Sequence, residues 1–231
     1  MKLHTVFITH NRLELTKRAV YSYMETVSIP FTFVIVDNDS TDGTQHWLHR
    51  KIALSERLDV IDFPSGCGFS ILSKNRYPGY ASNIGFGRAP GDATHLHRAD
   101  NDHIFLPGWC EEVERVFQSK KVGQVGLRTA KEENYVRDNT GGNCVIRREL
   151  WDAGLRWDER TWPQLRDEIG PGITEDSLMS PAVVRMGYTW TRVRKPCIQP
   201  ISPETPDDPD WPYYRKAWAD RGIHANIHPG S

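Results

Sequence analysis

Apolar and polar residues alternate along the first half of the chain with two periods, one typical of strands and one typical of helices. Residues 3–8 predict a strand, and residues 33–36 form a continuous apolar run of β-formers, as expected for a strand covered on both faces. Between them, apolar side chains at helical spacing predict a helix that is capped by Asn11 and ends near Glu25. Strand–helix–strand order predicts an α/β fold with parallel strands and right-handed crossovers.

The same patterns predict the later elements. Strands are expected at residues 58–63, 94–98, 122–127 and 143–146, and helices at residues 44–51, 83–88, 109–117 and 177–186. Glycine, serine, proline and aromatic residues dominate residues 64–80, which predicts a loop. The strand at 94–98 has the weakest pattern, because two histidines and an arginine interrupt its apolar residues. The fold class expected is a mostly parallel sheet flanked by helices.

The last part of the chain changes in composition. The segment KPCIQPISPETPDDPDWPYYRKAW is dense in proline and then rich in aromatic and basic residues. Because proline disfavours both helices and central strands, this segment is predicted to be extended and to wrap the domain. The simplest organisation is one domain over residues 1–195 with an extension over residues 196–231 packed on it.

Composition narrows the class of protein. The 231 residues are 38% hydrophobic and 26% charged with a formal net charge of −1, which is ordinary for a globular protein and gives no general attraction to nucleic acid or anionic membrane. No apolar stretch approaches the roughly 18 residues that a membrane helix needs, and the N-terminal apolar run is too short for a signal peptide. The four separated cysteines argue against a zinc finger or a disulfide framework, so a reduced, cytoplasmic protein is predicted.

Two acidic clusters follow predicted strands. Asp37 and Asp39 lie in VDND, and Asp100 and Asp102 lie in RADND. In open parallel α/β sheets ligands bind at the carboxyl ends of the strands, so these four acids are expected to face one crevice. So many carboxylates repel one another unless a cation or a donor-rich ligand is present. Asp-x-Asp in extended backbone is well spaced to hold Mg²⁺ or Mn²⁺ against substrate phosphates.

The motifs form an ordered set along the chain. They are FITHNR, VIVDNDSTDGT, GYASNIGFGRA, ADND followed by LPGW, GGNCVIRRELWDAGLRWDE, and TEDSLM followed by RMGY. Together they make residues 3–188 resemble the family-two glycosyltransferases of the GT-A fold. The resemblance implies a nucleoside diphosphate sugar as the donor and Mn²⁺ or Mg²⁺ as the cofactor. UDP is the nucleotide that it favours. It also implies transfer to an acceptor hydroxyl with inversion at the anomeric carbon.

The resemblance further implies a donor site. Asp37 is expected to contact the base, while Asp39 stands where the family usually has a glycine-like residue, a departure that bears on base or ribose contacts. Asp100 is expected to face the ribose, and Asp102 is expected to be the main metal ligand. The other residues implied to line the donor pocket are Thr9, Asn11, Arg12, Asn83, Gly141 and Gly142.

The acidic pair Glu175 and Asp176 matches the family's acids before a helix. An acceptor hydroxyl must lose its proton as it attacks the anomeric carbon, and a carboxylate within hydrogen-bond reach can accept that proton. The resemblance assigns this general base to Asp176 and a supporting or acceptor-binding role to Glu175. A third metal ligand is expected to be a histidine near the C-terminus, with His224 favoured over His228.

Simpler explanations compete with each motif. The acids after the second strand can form an ordinary turn, and the acidic pair can simply favour a helix dipole. His95, His97 and His103 suggest a separate metal site, although structural roles are expected for them.

Two other classes of protein stay open, and so does the acceptor. A nucleotidyltransferase usually shows a glycine-rich phosphate loop, which FITHNR lacks. A non-catalytic protein that binds sugar nucleotides would have little reason to retain both Asp102 and Asp176. The acceptor can be a saccharide, a lipid, a protein or a hydroxylated base in modified DNA, the last of which the neutral net charge disfavours.

Overall fold

The computed structural model describes residues 1–53, 65–130, 139–201 and 211–223. Its strands are β1 (Leu3–Thr9), β2 (Phe31–Asp37), β3 (Gly68–Ile71), β4 (His95–Asp100), β5 (His103–Phe105), β6 (Val122–Gly126), β7 (Cys144–Arg147), β8 (Thr189–Arg192) and β9 (Ile198–Pro200). Its helices are α1 (Leu13–Thr26), α2 (Thr44–Ala53), α3 (Tyr77–Phe86), α4 (Trp109–Phe117), α5 (Arg148–Asp152), α6 (Trp162–Glu168), α7 (Glu175–Arg185) and α8 (Trp211–Asp220).

Seven strands form one sheet in the order β3-β2-β1-β4-β7-β6-β8, and β5 pairs with β9 in a small second sheet. Strands β3, β2, β1 and β4 run parallel. Strand β7 runs antiparallel to both of its neighbours, and β8 is parallel to β6. This mostly parallel sheet flanked by helices confirms the predicted fold class.

One strand lies in the segment predicted to be a loop. Strand β3 pairs with β2, with Val34 opposite Gly68, and α3 begins at Tyr77 rather than near residue 83. Phe69 and Ile71 are good β-formers, but Gly68 and Ser70 interrupt them, so pairing with the buried strand β2 decides that this segment is a strand. The strand predicted at residues 58–63 lies outside the described residues.

The cap of α1 also differs from the prediction. The backbone N–H of Leu13 donates to Asp42 Oδ2 at 2.8 Å, so an acid from the turn before α2 satisfies the first helical donor. Asn11 instead accepts a hydrogen bond from the N–H of Thr41 at 2.7 Å. Burial alone would raise the pKa of Asp42, but its hydrogen bonds with Thr44 and Leu13 outweigh burial and lower that pKa.

The tail is helical where the sequence predicted an extended segment. Residues 211–220 form α8, so that part of the prediction was wrong. Pro212 stands at the second position of the helix, in the first turn, where the missing N–H would have no intrahelical partner in any case. Among the described residues, no helix is both long and apolar enough to cross a membrane.

Alternate residues of the central strands build two apolar layers, one on each face of the sheet. In one cluster Phe7 packs edge-to-face with Phe33 and Tyr23. The centre of the Phe7 ring lies 6.0 Å from that of Phe33 and 5.3 Å from that of Tyr23. Val6 and Val34 belong to the cluster on the opposite face. The continuous apolar runs in the sequence therefore correspond to strands buried on both sides.

The histidines of β4 belong to this interior. His97 is fully buried beside Tyr23, and its Nδ1 lies 3.2 Å from Thr5 Oγ1. Burial lowers the pKa of His97 to about 3 and that of His95 to about 4. Both side chains are therefore neutral at physiological pH and pack as core residues.

Gly85 is expected to be required for the contact between α3 and β1. A Cβ on this residue would lie 2.3 Å from Val6 Cγ1. Overpacking costs about 1–3 kcal/mol, and the better helix propensity of alanine returns at most about 1 kcal/mol. We therefore expect Gly85→Ala to lower the free energy of unfolding by about 1–2 kcal/mol in urea denaturation.

A matched control is Gly91→Ala, where no neighbouring atom lies within 4 Å of the added carbon. Adding Val6→Ala to Gly85→Ala should recover part of the loss, because the two closest contacts, with the Cγ atoms of Val6, disappear and only its Cβ, at 3.0 Å, remains. Equal unfolding free energies for Gly85→Ala and Gly91→Ala would contradict this account of the packing.

Candidate functional site

The register of the sheet brings three strand ends to one edge. Thr9 of β1 is opposite Asp37 of β2, and Ile8 is opposite Asp100 of β4. A cavity of about 320 Å³ opens at this edge. Side chains from β4, α7, α8 and the loops after β1 and β2 line it, so a crevice is present where the parallel strands end.

Charges of both signs line this cavity in nearly equal number. The acids are Asp100, Asp102, Glu175, Asp176 and Asp220, and the cations are Arg12, Arg98, Lys216 and Arg221. The near balance lets the acids share one enclosure without the repulsion that carboxylates alone would suffer.

Arg12 reaches the cavity from a loop with an unusual backbone. Asn11 and Arg12 both have left-handed conformations, with φ of 58° and 62°. The backbone N–H of Asn11 donates to Ser40 Oγ at 2.7 Å, which ties this loop to the turn after β2. Non-glycine residues keep such conformations only where surrounding contacts determine them, commonly at functional sites.

Asp102 is held by three donors. Arg12 Nη1 and Tyr214 Oη donate to its Oδ2 at 3.1 and 2.7 Å, and His103 Nδ1 lies 2.9 Å from its Oδ1. Burial alone would raise the pKa of Asp102, but the hydrogen bond and charge of His103, with Arg12 and Tyr214, outweigh burial and hold that pKa well below its usual range. Asp102 is therefore ionised at neutral pH.

Asp100 lies against the turn that precedes β7. Its backbone N–H donates to Asn143 Oδ1 at 3.1 Å, and Asn143 Nδ2 donates to its Oδ2 at 3.3 Å. A Cβ on Gly142 would lie 2.5 Å from this Oδ2, so the carboxylate has room only because residue 142 lacks a side chain. Burial raises the pKa of Asp100; the charge of Arg98 opposes this shift, and that of Asp102 adds to it.

Asp100, Asp102 and His103 form a group that can hold a divalent cation. Their ligand atoms all lie within 4.8 Å of one another. Two carboxylates and an imidazole are a donor set that suits Mn²⁺, and the carboxylates also suit Mg²⁺. Each carboxylate offers about four lone-pair sites, so the hydrogen bonds to Asp102 leave acceptor capacity for a metal. The residues present therefore fit such an ion.

Glu175 is buried, and both of its oxygens are engaged. Its side chain is 3% exposed, and Arg98 Nη2 lies 2.8 Å from its Oε1. Trp162 Nε1 donates to Oε2 at 2.8 Å. Both oxygens of this carboxylate already contact protein donors, which leaves less capacity to bind a substrate.

Asp176 follows in the first turn of α7 and lines the cavity. Thr174 Oγ1 and the backbone N–H of Ser177 both donate to its Oδ1, the latter at 3.0 Å. Within the described part of the chain, no hydrogen bond reaches Oδ2. Of the two neighbouring acids, Asp176 is therefore the one with an oxygen open to a group in the cavity.

Helix α8 forms one wall of the cavity and is fastened to the opposite side. Tyr214 Oη accepts a hydrogen bond from Arg12 Nη1 at 2.6 Å. Tyr77 Oη of α3 donates to Asp220 Oδ2 at 3.1 Å, and Lys216 Nζ, one turn earlier in α8, donates to the same oxygen at 2.9 Å. Tyr77 has a left-handed φ of 63°, so a further residue in a strained conformation lies at the rim.

The turn after β2 is ordered by its first acid. Asp37 is fully buried, and its Oδ2 accepts a hydrogen bond from the N–H of Ser40 at 3.2 Å. No hydrogen-bond donor to its Oδ1 is found in the described residues. Asp39 has φ of 71°, in the left-handed region that glycine adopts most readily, which gives a physical reason for a glycine-like position.

The structure brings together about half of the residues that the sequence assigned to the site. Those that line the cavity are Arg12, Asp100, Asp102, Gly142, Glu175 and Asp176. Those in the adjoining strand ends and turns are Thr9, Asn11, Asp37, Asp39 and Gly141. His224 and His228 lie outside the described residues.

Asn83 points elsewhere. Its Nδ2 donates to the carbonyl of Trp157 at 2.9 Å and to Glu159 Oε1 at 2.8 Å, and its Oδ1 accepts from the N–H of Trp157 at 3.0 Å. These bonds tie α3 to the segment after α5. A nucleoside contact from Asn83 stays a prediction.

Several cavity residues carried little signal in the sequence. Arg98 appeared only as a charge that weakened a strand, and its position in that strand, two residues before Asp100, could have suggested an acidic partner. His103 adjoins Asp102, so it could have been grouped with the acids rather than with His95. Trp162 gave no signal, because its partner Glu175 is thirteen positions away in a different helix.

The comparison with protein families gives one match. The family described as glycosyl transferase family 2 matches residues 5–172 of the chain. A search of curated proteins finds no significant match.

Solved structures share the fold. The mannosyltransferase PcManGT from Pyrobaculum calidifontis, in complex with GDP-Man and Mn²⁺, is similar with a TM-score of 0.69 and 16% identity, over 92% of this chain and 59% of that one. S. aureus TarS 1-349 in complex with UDP-GlcNAc has a TM-score of 0.65 and 14% identity, over 99% of this chain and 68% of that one. GalNAc-T7 with UDP, GalNAc and Mn²⁺ has a TM-score of 0.63 and 13% identity, over 84% of this chain and 42% of that one. The chain thus spans only part of each of these proteins.

Gly142→Ala is expected to weaken cation binding at the acidic group. The added methyl would lie 2.5 Å from Asp100 Oδ2, so that carboxylate would have to move. Since displaced or misoriented ligands typically cost about 10–100-fold in metal affinity, we expect a loss of that size in Mn²⁺ titrations followed by electron paramagnetic resonance.

Gly68→Ala is the control, because an added carbon there meets no atom within 4 Å. Unchanged Mn²⁺ affinity in a folded Gly142→Ala protein would show that Asp100 takes no part in holding the ion.

Proposed function

Because the chain belongs to glycosyl transferase family 2, and is accordingly a glycosyltransferase, we propose the details of its reaction. It transfers a sugar from a nucleoside diphosphate sugar to an acceptor hydroxyl, and UDP is the favoured nucleotide. Transfer requires a divalent cation and inverts the anomeric carbon, with Asp176 as the general base.

The observation that carries this proposal is the difference between the two acids of α7. Glu175 has both oxygens engaged by Arg98 and Trp162, whereas Asp176 faces the cavity with Oδ2 open. The hydrogen bonds from Thr174 and Ser177 to Oδ1 fix the orientation of the carboxylate. A base oriented by its neighbours and open to one side suits proton abstraction from a bound hydroxyl.

The proposed reaction is a single displacement. The acceptor hydroxyl donates a hydrogen bond to Asp176 Oδ2 and attacks the anomeric carbon from the face opposite the diphosphate. As the new carbon–oxygen bond forms, the bond between the anomeric carbon and the phosphate oxygen breaks, and the proton moves to Asp176. The nucleoside diphosphate leaves with the electron pair. Because the attack is on the opposite face, the configuration inverts.

Charge on the leaving diphosphate needs compensation. Asp100, Asp102 and His103 would hold the divalent cation, which when bound neutralises phosphate charge. Arg12, which pairs with Asp102, and Lys216, which pairs with Asp220, also line the cavity and supply positive charge there. Two of the structurally similar proteins are described with Mn²⁺, which supports this part of the proposal.

The residue proposed to bind the base of the nucleotide, Asp37, lies at the same edge of the sheet. Asp37 is the acid assigned to the base, and its Oδ1 lacks a donor within the described residues. The ring imide N–H of uracil is a donor of the right kind for a carboxylate. Of the similar structures, TarS and GalNAc-T7 are described with UDP or a UDP-sugar, and PcManGT with GDP-Man. Guanine offers comparable N–H donors, so UDP and GDP are the two nucleotides to compare first.

Asp176→Asn is expected to remove turnover while donor binding survives. The amide keeps an oxygen for Thr174 and Ser177 but cannot accept the acceptor's proton. Loss of a general base typically costs about 10²–10⁴-fold. Turnover is measured as nucleoside diphosphate release, with water as the acceptor or with an acceptor found by screening, and donor binding by calorimetry.

Asp167→Asn is the matched control, because that acid is 64% exposed on α6 and pairs only with a neighbouring surface arginine in the described structure. Turnover of Asp176→Asn close to that of the wild type would remove Asp176 from the role of base.

Removal of the metal is expected to abolish the effect of the donor on thermal stability. A ligand at 100 times its Kd stabilises the native state by about 2.7 kcal/mol. For a domain of this size that corresponds to a Tm increase of about 5 °C or more. We expect UDP or its sugars to raise Tm with Mn²⁺ and to have little effect after chelation, in a screen that includes GDP and GDP-sugars.

Asp102→Ala should abolish the metal-dependent shift, whereas Asp92→Ala, at an exposed acid paired with Lys2, should not. A donor-induced shift of equal size with and without metal, unchanged in Asp102→Ala, would contradict the metal dependence. No shift with any nucleotide would contradict the donor site itself.

A further inference from the structure

Arg98 is a buried cation beneath the site. It lies on β4 two residues before Asp100, so the two side chains leave the strand on the same side. The side chain is 5% exposed, and its guanidinium carbon lies 4.6 Å from the ring centre of Trp157. A guanidinium removed from water in this way needs negative partners.

One nitrogen of Arg98 serves two acids on different elements. Nη2 lies 2.8 Å from Glu175 Oε1 and 3.6 Å from Asp100 Oδ1. Nε and Nη1 have no hydrogen-bond partner in the described residues. The ion-pair contacts of this buried guanidinium therefore connect Asp100, at the end of β4, with Glu175, at the start of α7.

Negative charge surrounds the guanidinium on this side. Burial alone would lower the pKa of Arg98, but the charges of Glu175, Asp100 and Asp176 outweigh burial and raise it. Arg98 therefore stays charged while close to all three carboxylates. The attraction opposes their mutual repulsion and holds two acidic segments at a fixed separation.

The other end of this connection is also fixed. Glu175 Oε2 accepts a hydrogen bond from Trp162 Nε1 at 2.8 Å, so the carboxylate is clamped between Arg98 and the indole. Asp176 is the next residue in the first turn of α7. Because the two residues are consecutive in α7, contacts that fix Glu175 also fix the backbone position of Asp176.

We propose that Arg98 is a positioning residue for transfer: by pairing with Glu175 and Asp100 together, it sets the distance from Asp176 to the donor-side acids. This inference rests on the proposed function, because it gives Arg98 a part in placing the base of that reaction. A displacement of about 1 Å in a reacting group can cost 10²-fold in rate. Lysine cannot reproduce the effect, because its strongly hydrated ammonium does not stack on Trp157 as the planar guanidinium does, and that stacking places Nη2 between the two acids.

The test separates position from stability by removing both charges of the pair. Arg98→Met alone leaves the Glu175 carboxylate buried without its cation and is expected to lower stability. Arg98→Met with Glu175→Gln keeps an oxygen for Trp162 Nε1 and leaves no unpaired charge at Glu175. The matched control is Arg148→Met with Asp152→Asn, which removes a more exposed ion pair of α5.

Three quantities are measured on the full chain: the free energy of unfolding, the Kd of UDP-sugar with Mn²⁺ by calorimetry, and kcat for nucleoside diphosphate release. We expect the double variant to approach wild-type stability and to bind the donor within about threefold. Its kcat should fall by about 100-fold. Arg98→Lys should fold and retain the charge, yet lose about 10-fold in kcat. The α5 control should match the wild type in donor Kd and in kcat.

Wild-type kcat in the stable double variant would overturn the proposal, since Arg98 would then serve stability alone. A weaker Kd with unchanged kcat would also overturn it, because Arg98 would then act on donor binding. If the double variant does not fold, Arg98→Lys decides: full kcat in that variant contradicts a requirement for the guanidinium geometry.

Crystal structures of the wild type and the double variant give a readout that does not depend on activity. The separation between the Asp176 and Asp100 carboxylates should change by about 1 Å or more, and an unchanged separation would overturn the inference. A wild-type protein that neither binds nor cleaves any nucleoside diphosphate sugar would refute the proposed function. That failure is distinguishable, because the carboxylate separation can be compared in either case.

Discussion

Parallel pairing of β2, β1 and β4 is the constraint on which the rest of the site depends. Parallel strands joined by crossovers must all end at the same edge, and the register places Thr9, Asp37 and Asp100 in neighbouring positions there. The acids need no attraction to one another to meet, since the hydrophobic interior of the sheet fixes their spacing. Burial of apolar residues on both faces provides the free energy that holds like charges in one crevice.

Gathering acids in this way creates a problem that the cations solve. Asp102 keeps a lowered pKa through His103, Arg12 and Tyr214, whereas the pKa of buried Asp100 is raised. The two acids of one Asp-x-Asp motif thus sit in opposite electrostatic environments. A divalent cation between them would favour the ionised form of both, so cation binding and the charge of Asp100 are expected to be linked.

The sequence allowed the fold to be predicted wherever a periodic pattern was strong. Strands β1 and β2 and the amphipathic helix α4 follow directly from apolar spacing, and the acids at the strand ends follow from parallel order. Strand β3 was missed because Gly68 and Ser70 interrupt its β-formers, so that pairing with β2 is needed to make it a strand. Helix α8 was missed because proline content alone does not reveal that a proline occupies the first turn. Contacts between residues far apart in sequence, such as that of Arg98 with Glu175, have no local pattern.

The two halves of the site come from different parts of the chain. The family match ends at residue 172, and Asp37, Asp100 and Asp102, the acids proposed to bind the donor and its metal, lie within it. Asp176 and Tyr214 lie beyond it, on α7 and α8. Arg12 contacts both Asp102 and Tyr214 and so joins these two parts of the chain, and a change in α8 is expected to alter the environment of Asp102. In this chain the segment that closes the cavity is therefore also part of the environment of the proposed metal ligand.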